Sequence, residues 1–326
     1  MYGKTFKEPK RLIMNVEKYM QKTIKHEISC VGTGLHTGNK ISMTLKPAEP
    51  NTGIVFHRTD IAGRDAYIPA LHDYVVDTRM CTCIGNKDGV RVATIEHLMA
   101  AIHAMGVNNL LIDINGPETP VMDGSSAPFV FLLECAGIKV QRAPVKAIRI
   151  LKPVSFKDGD KEVTLRPADG EGLNMHFEID FDAPVIGHQE ADLALSASNF
   201  KNSFCRARTF GFLKDIEMLR SIGLARGGSL DNAILVNDNM IMNKDGLRYK
   251  NEFARHKMLD AVGDLYMSGY TFVADFCGKR SGHTQTNALL SAMFADPSCY
   301  EIVDLMTTGS EREEAPSVED LRRDCA

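Results

Sequence analysis

The apolar positions along the chain follow two rhythms. Ile41-Ser-Met-Thr-Leu-Lys-Pro-Ala-Glu49 and Asn109-Leu-Leu-Ile-Asp-Ile114 read as strands, whereas Thr94-Ile-Glu-His-Leu-Met-Ala-Ala-Ile-His-Ala-Met-Gly106 has a helical period. Thr94 is the expected N-cap of that helix and Gly106 its stop. The turn-rich Asn115-Gly-Pro-Glu-Thr-Pro120 follows the strand 109–114, and a second helix is expected to start near Ser126-Ala-Pro128.

The strand 41–49 has an echo about 120 residues on, in Glu162-Val-Thr-Leu-Arg-Pro-Ala-Asp169. Both end in Pro-Ala-acid and lead through glycine into a second apolar stretch, Gly53-Ile-Val-Phe-His57 and Gly172-Leu-Asn-Met-His-Phe177. So long a period points to a duplicated domain rather than a solenoid, although two hairpins could match over so short a stretch by chance. The second copy repeats the grammar: strands up to about Ile179, a helix near 212–223, a long helix over 251–268 and an apolar strand at 270–276. Strands grouped apart from helices indicate α+β, with sheet and helices layered in each domain. The expected division is an N-terminal extension 1–22, a first α+β domain 23–145, a second 146–308 and a polar tail 309–326.

Composition narrows the class. The chain has 326 residues, 44% hydrophobic and 25% charged, so it can bury substantial cores. A net charge of −4 argues against nucleic-acid binding. No apolar run is long enough to span a bilayer, and the N-terminus lacks the apolar core of a secretory signal, so a cytoplasmic protein is expected. The eight cysteines are scattered without a C-x-x-C pair, which favours reduced thiols over a disulfide framework or a cysteine metal site.

The chemistry concentrates on the long helix. Its period groups His256, Lys257, Asp260 and Asp264 within an arc of about 100°, with Met258, Leu259, Val262, Leu265 and Tyr266 opposite. His256 and Asp260, four apart, can converge on one metal ion, or they can form a solvated helix face with a simple attraction. Two features favour the metal. Glu96-His97 offers a third ligand beside a carboxylate able to act on water, and Ser281-Gly-His283 sits on a turn after an apolar strand, where catalytic groups are common. His103 points away from His97 and is assigned to packing or the surface. Of the other histidines only His36, in Gly34-Leu-His-Thr-Gly38, is a candidate to approach the site.

Seven segments in register resemble the UDP-3-O-acyl-N-acetylglucosamine deacetylases, zinc hydrolases of lipid A and lipopolysaccharide biosynthesis. They are Gly34-Leu-His-Thr-Gly38, Thr94-Ile-Glu-His-Leu98, Pro120-Val-Met-Asp-Gly-Ser125, Cys205-Arg-Ala-Arg-Thr-Phe-Gly-Phe212, Gly227-Gly-Ser229, His256-Lys-Met-Leu-Asp260 and Ser281-Gly-His283. The resemblance implies two similar layered domains, a duplicated β-α-α-β sandwich with the active site between them. It implies Zn²⁺ held by His97, His256 and Asp260, with Glu96 as general base and His283 as general acid. Thr209 would stabilise the oxyanion, Lys257 would bind substrate, and Asp264 would orient and charge His283. The acetyl group of a UDP-3-O-(3-hydroxyacyl)-N-acetylglucosamine would be released as acetate, the committed step of the pathway.

For the acyl chain, the resemblance suggests a channel near Phe210, Phe212, Ile216, Gly228 and Ala233, which composition alone would assign to ordinary core. A monomer making transient contact with a membrane surface is the expected working state. At Thr286 the chain departs from the asparagine frequent in the family. Two other readings are a deacetylase for an unacylated N-acetyl sugar, which would need only a short polar pocket, and a noncatalytic nucleotide-sugar or lipid-binding module, in which Glu96 and His283 would have no purpose.

Overall fold

The computed structural model describes residues 16–305; the polar tail 309–326 and most of the N-terminal extension lie outside them. The first half runs β1 (Met20–Ile24), β2 (Ile28–Thr33), β3 (Lys40–Pro47), β4 (Ile54–Arg58), β5 (Tyr67–Pro69), β6 (Val75–Asp77), β7 (Cys83–Gly85), β8 (Arg91–Val92), α1 (Glu96–Ala104), β9 (Leu110–Ile114), α2 (Ala127–Ala136) and β10 (Ile138–Pro144). The second runs β11 (Lys146–Ile150), β12 (Val154–Asp158), β13 (Lys161–Arg166), β14 (Leu173–Asp180), β15 (His188–Ala194), α3 (Ala197–Ser203), β16 (Phe210–Phe212), α4 (Leu213–Ser221), β17 (Ile234–Asn237), β18 (Met240–Ile241), α5 (Glu252–Leu265), β19 (Thr271–Lys279), α6 (His283–Ala295) and β20 (Tyr300–Asp304).

The duplication is visible in the pairing. The first sheet has the order β2-β3-β9-β4-β5, antiparallel except for the parallel pair β9-β4. The second contains the path β12-β13-β19-β14-β15, antiparallel except for the parallel pair β19-β14. The antiparallel pair β1-β10 likewise has its counterpart in β11-β20, which also joins β19. The two Pro-Ala-acid segments close β3 and β13, which are equivalent strands.

Each sheet turns one face inward. Ile41, Met43 and Leu45 of β3 and Leu110, Ile112 and Ile114 of β9 are buried on one side, and Met175, Phe177 and Ile179 do the same on β14. The helices lie between the sheets, and α1 against α5 is the most extensive contact between any two elements. Helix α1 is therefore buried all round, and α5 buries Glu252, His256, Asp260 and Asp264 as well as its apolar side. The expected division of α5 into an ionisable face and a core face becomes one of two buried faces, one against a sheet and one against α1. No helix among the described residues is long and apolar enough to cross a membrane.

Two local expectations are corrected. The N-cap of α1 is Ile95, not Thr94: Thr94 has φ 57°, and its hydroxyl donates to Glu118 Oε1 at 3.0 Å, a charged acceptor that outcompetes the helix end. His283 is not on a free turn but opens α6, whose N-cap is Gly282. Gly106, with φ 66°, ends α1 as expected, and His103 is packed, stacked on Tyr266 with ring centroids 4.3 Å apart. Cys30, Cys81, Cys83, Cys135, Cys205 and Cys299 are free thiols.

Candidate metal centre

The site forms where α1 and α5 cross. A Cβ on Gly263 would lie 2.1 Å from the Glu96 carbonyl oxygen and 3.0 Å from the Ala100 nitrogen, so only glycine lets the two backbones come this close. The crossing brings the first turn of α1 against α5. His97 Nε2 lies 3.6 Å and His256 Nε2 3.4 Å from Asp260 Oδ1, and the three groups offer ligand atoms within 4.8 Å of one another.

Each group is held in a state suited to a cation. His256 Nδ1 donates to the Ala207 carbonyl at 3.1 Å, leaving Nε2 with its lone pair. Burial, reinforced by His256, holds His97 down at about 3; burial also lowers His256, against the pull of Asp260, so both rings are neutral at pH 7. Asp260 behaves oppositely. Burial would raise it, but its imidazole and ammonium neighbours, His256, Lys257 and His283 among them, outweigh that and keep it ionised. Its Oδ2 accepts from Lys257 Nζ at 2.9 Å, while Oδ1 is buried with no hydrogen-bond donor. A buried, ionised oxygen without a partner is costly unless a cation meets it, and two bare imidazole nitrogens face the same point. The residues fit the metal.

Two titratable groups flank the cluster. Glu96 accepts the Thr82 backbone N–H at 3.0 Å, and burial, with Asp260 and Asp264 adding and His283 opposing, pushes its carboxyl up to about 7. His283 Nδ1 contacts Asp264 Oδ2 at 2.7 Å. Burial would lower that imidazole, but the charge and hydrogen bond of Asp264, with help from Glu96 and Asp260, lift it to about 9. The carboxylate thus overrides both burial and the unfavourable N-terminus of α6. Lys257 is also kept charged: burial lowers its pKa, but Asp260 more than offsets this.

The segment before α5 builds the opposite wall. The Thr209 N–H donates to the Gly124 carbonyl at 2.8 Å, and the Thr209 carbonyl accepts from Ile234 N–H at 2.8 Å. Gly124 has φ +81°, and a Cβ there would meet the Asn232 carbonyl oxygen at 2.0 Å, so the Asp123-Gly124-Ser125 turn can clasp this loop only with glycine. Arg208 is fastened by Glu252, the first residue of α5, through its N–H at 3.0 Å and Nε at 2.9 Å. That buried pair fixes Ala207 and hence the orientation of His256.

Glu96, His97, His256, Lys257, Asp260, His283, Thr209 and Phe210 line one cavity of about 410 Å³. Arg79, Lys161 and Arg280 bring cationic side chains to its wall, Arg79 paired with Asp77 and Arg280 with Asp160 and Asp180, and Leu35 and Phe181 contribute apolar surface. Phe181 also lines a second cavity of about 520 Å³ together with Phe212 and Val236. Of the residues expected along an acyl channel, Phe210 lines the first cavity and Phe212 the second, whereas Ile216, Gly228 and Ala233 line neither. Gly228 instead packs towards Leu35, with the Leu35 Cδ1 atom 3.7 Å from where its Cβ would be. Leu35, rather than His36, reaches the cavity. His36 is buried with both ring nitrogens unpartnered, its backbone N–H bound to Glu118 Oε1 at 2.7 Å. Thr286 is buried on α6, its hydroxyl near the Gly282 carbonyl at 3.3 Å.

Sequence reasoning missed Thr82, Ala207, Arg208, Glu252 and the basic wall. Arg208 lies inside a quoted motif and could have been suspected. Ala207 and the Thr82 N–H act through backbone atoms and carry no side-chain signature.

Two neutral imidazoles and a carboxylate around one point, open to a cavity that also receives a carboxyl group and a charged histidine, define a metal-dependent hydrolase. The donor set is that of a catalytic zinc site, and the cofactor is Zn²⁺. The family model for UDP-3-O-acyl N-acetylglycosamine deacetylase matches residues 21–295. Similar proteins include the UDP-3-O-acyl-N-acetylglucosamine deacetylases of Histophilus somni (48% identical, covering 91% of this chain and 95% of the relative) and Acidithiobacillus ferrooxidans (50%, covering 87% and 93%). That of Haemophilus influenzae strain 86-028NP is 48% identical, over 91% of this chain and 95% of its own. The chain belongs to the UDP-3-O-acyl-N-acetylglucosamine deacetylase family.

Proposed function

We propose that the protein removes the acetyl group from a UDP-3-O-(3-hydroxyacyl)-N-acetylglucosamine, releasing acetate and the free amine. The observation that carries this reading is the meeting of His97 from one half with His256 and Asp260 from the other, flanked by Glu96 and His283. Bound zinc supplies Lewis acidity, polarising the amide carbonyl and easing deprotonation of water.

The residues divide the rest of the chemistry. Glu96 takes the proton from water as its oxygen forms the new bond to the acetyl carbon. The Thr209 hydroxyl, on the loop clasped by Gly124, donates to the oxygen that becomes negative. The C–N bond breaks as His283 gives its proton to the sugar nitrogen, which could not depart as an amide anion. Asp264 keeps that proton on His283 and aims the ring, and Lys257 contributes positive charge to the cavity wall beside Asp260.

Substrate recognition follows from the two kinds of lining. The side chains of Arg79, Lys161 and Arg280 on the first cavity suit a diphosphate, and Phe181 and Phe210 there, with Phe212 on the second cavity that Phe181 also lines, suit an acyl chain. This apolar lining favours an acylated substrate over an unacylated N-acetyl sugar. Leu213 and Met218, exposed on the helix that follows Phe212, and Met240, exposed on β18, are consistent with transient contact at a membrane surface. The nucleotide-sugar substrate supports a cytoplasmic enzyme. On this reading 23–145 and 146–308 act as two domains, a division supported by the break between β10 and β11.

The test is acetate release measured alongside zinc content, with acylated and unacylated UDP-N-acetylglucosamine compared. Strong preference for the acylated compound is expected. Equal turnover of both, or turnover independent of zinc, would overturn the reading.

A further inference from the structure

Thr82 bonds Glu96 directly and reaches His283 through Asp264, and it belongs to none of the segments that carry the family resemblance. It lies just before β7, is 3% exposed, and makes two buried hydrogen bonds in different directions. Its backbone N–H donates to Glu96 Oε2 at 3.0 Å, and its hydroxyl donates to Asp264 Oδ1 at 2.6 Å. The other oxygen of Asp264, Oδ2, is the one that holds His283 Nδ1 at 2.7 Å.

A carboxylate bound through a single oxygen can pivot about its Cβ–Cγ bond. Bound through both, it has its plane fixed, and with it the direction of the bond to its partner ring. Thr82 and His283 take one Asp264 oxygen each. Threonine suits the task because its branched Cβ restricts χ1, so the hydroxyl stays aimed without further support. The main-chain bond to Glu96 comes from the same residue, so one peptide of the first half registers the carboxyl on α1 against the carboxylate on α5.

We propose that Thr82 is a positioning residue of the reaction: its hydroxyl locks the Asp264 carboxylate so that His283 is aimed at the leaving nitrogen, while its N–H aims Glu96. The inference rests on the deacetylase reading for its kinetic consequence and on the hydrogen bonds alone for its structural one.

Thr82→Val keeps the shape and the N–H but removes the hydroxyl; Thr82→Ser restores it. In the zinc-loaded full chain, Thr82→Val is expected to lower kcat about 10–100-fold, the range typical of outer-shell partners, with KM and zinc content unchanged. Thr82→Ser should recover most of the loss. Independently, the hydrogen-bonded Nδ1 proton of His283, followed by ¹H–¹⁵N NMR, should broaden or move upfield in Thr82→Val and return in Thr82→Ser. If valine prevents folding, Thr82→Ala takes its place with the same expectations. An unmoved His283 signal, or wild-type kcat in the variant lacking the hydroxyl, would overturn the proposal. A wild-type chain that releases no acetate while the His283 signal still follows the hydroxyl would remove the deacetylase reading and leave the positioning role standing.

Discussion

Gly263 on α5 lies against the carbonyl oxygen of Glu96 on α1 so closely that a Cβ would stand 2.1 Å from it. This contact sets the distance between the two halves of the metal cluster, because Glu96 precedes His97 and Gly263 lies one turn beyond Asp260. Gly263→Ala should force the helices apart, costing about 1–3 kcal/mol as overpacked cores do. It should also weaken zinc binding more than any substitution on the outer face of either sheet. Thermal unfolding of the metal-free chain measures the first effect and competition with a zinc chelator the second; a variant equal to the parent in both would contradict this account.

In the proposed mechanism Glu96 acts as base and not as a ligand. Glu96→Gln keeps the size and the acceptor for the Thr82 N–H but cannot take a proton. Acetate release should fall about 10²–10⁴-fold, the usual contribution of a positioned base, with zinc still bound. Loss of zinc together with activity would instead make Glu96 part of the metal cluster.

The pH dependence has a definite sign. Glu96 must be ionised to act, so the rate should rise with pH through its pKa, about 7 without metal and lower when a divalent cation favours the charged form. His283 must be protonated, so the rate should fall as pH passes about 9. The profile of kcat/KM is therefore a bell whose limbs belong to the coupled site. Asp264→Asn removes the charge that keeps the proton on His283, so the alkaline limb should move to lower pH. A limb that stays in place would assign it to another group.

Glu252 is fully buried and accepts two bonds from the Arg208 guanidinium, at 2.9 and 3.1 Å. Glu252→Ala would strand that charge in the interior, at a cost of about 3–5 kcal/mol. Because Ala207 beside it orients His256, zinc affinity should drop as well. Denaturant unfolding and zinc titration of the variant test both consequences.

Much of this architecture was legible in local patterns. The echo of 41–49 in 162–169 anticipated two sheets of one topology, and β3 and β13 do occupy equivalent positions. The helical period of 251–268 anticipated His256 and Asp260 on one stripe. Less legible were β15, α3 and α6, whose short or weakly patterned stretches gave no clear period. In the sequence Gly282 reads as a turn and places His283 on a loop, whereas in the fold that glycine is a helix cap.

What the sequence by itself determined is the kind of chemistry available and the stripe on which each helix carries it, because helical and strand periods are properties of the local backbone. Which stripes meet was decided only by tertiary structure. His97 and His256 come together because two helices from different halves cross at a residue without a side chain. The atoms that tune them, the Ala207 carbonyl and the Thr82 N–H, belong to the peptide unit. Nearly every residue carries such groups, so only their placement in the fold distinguishes them.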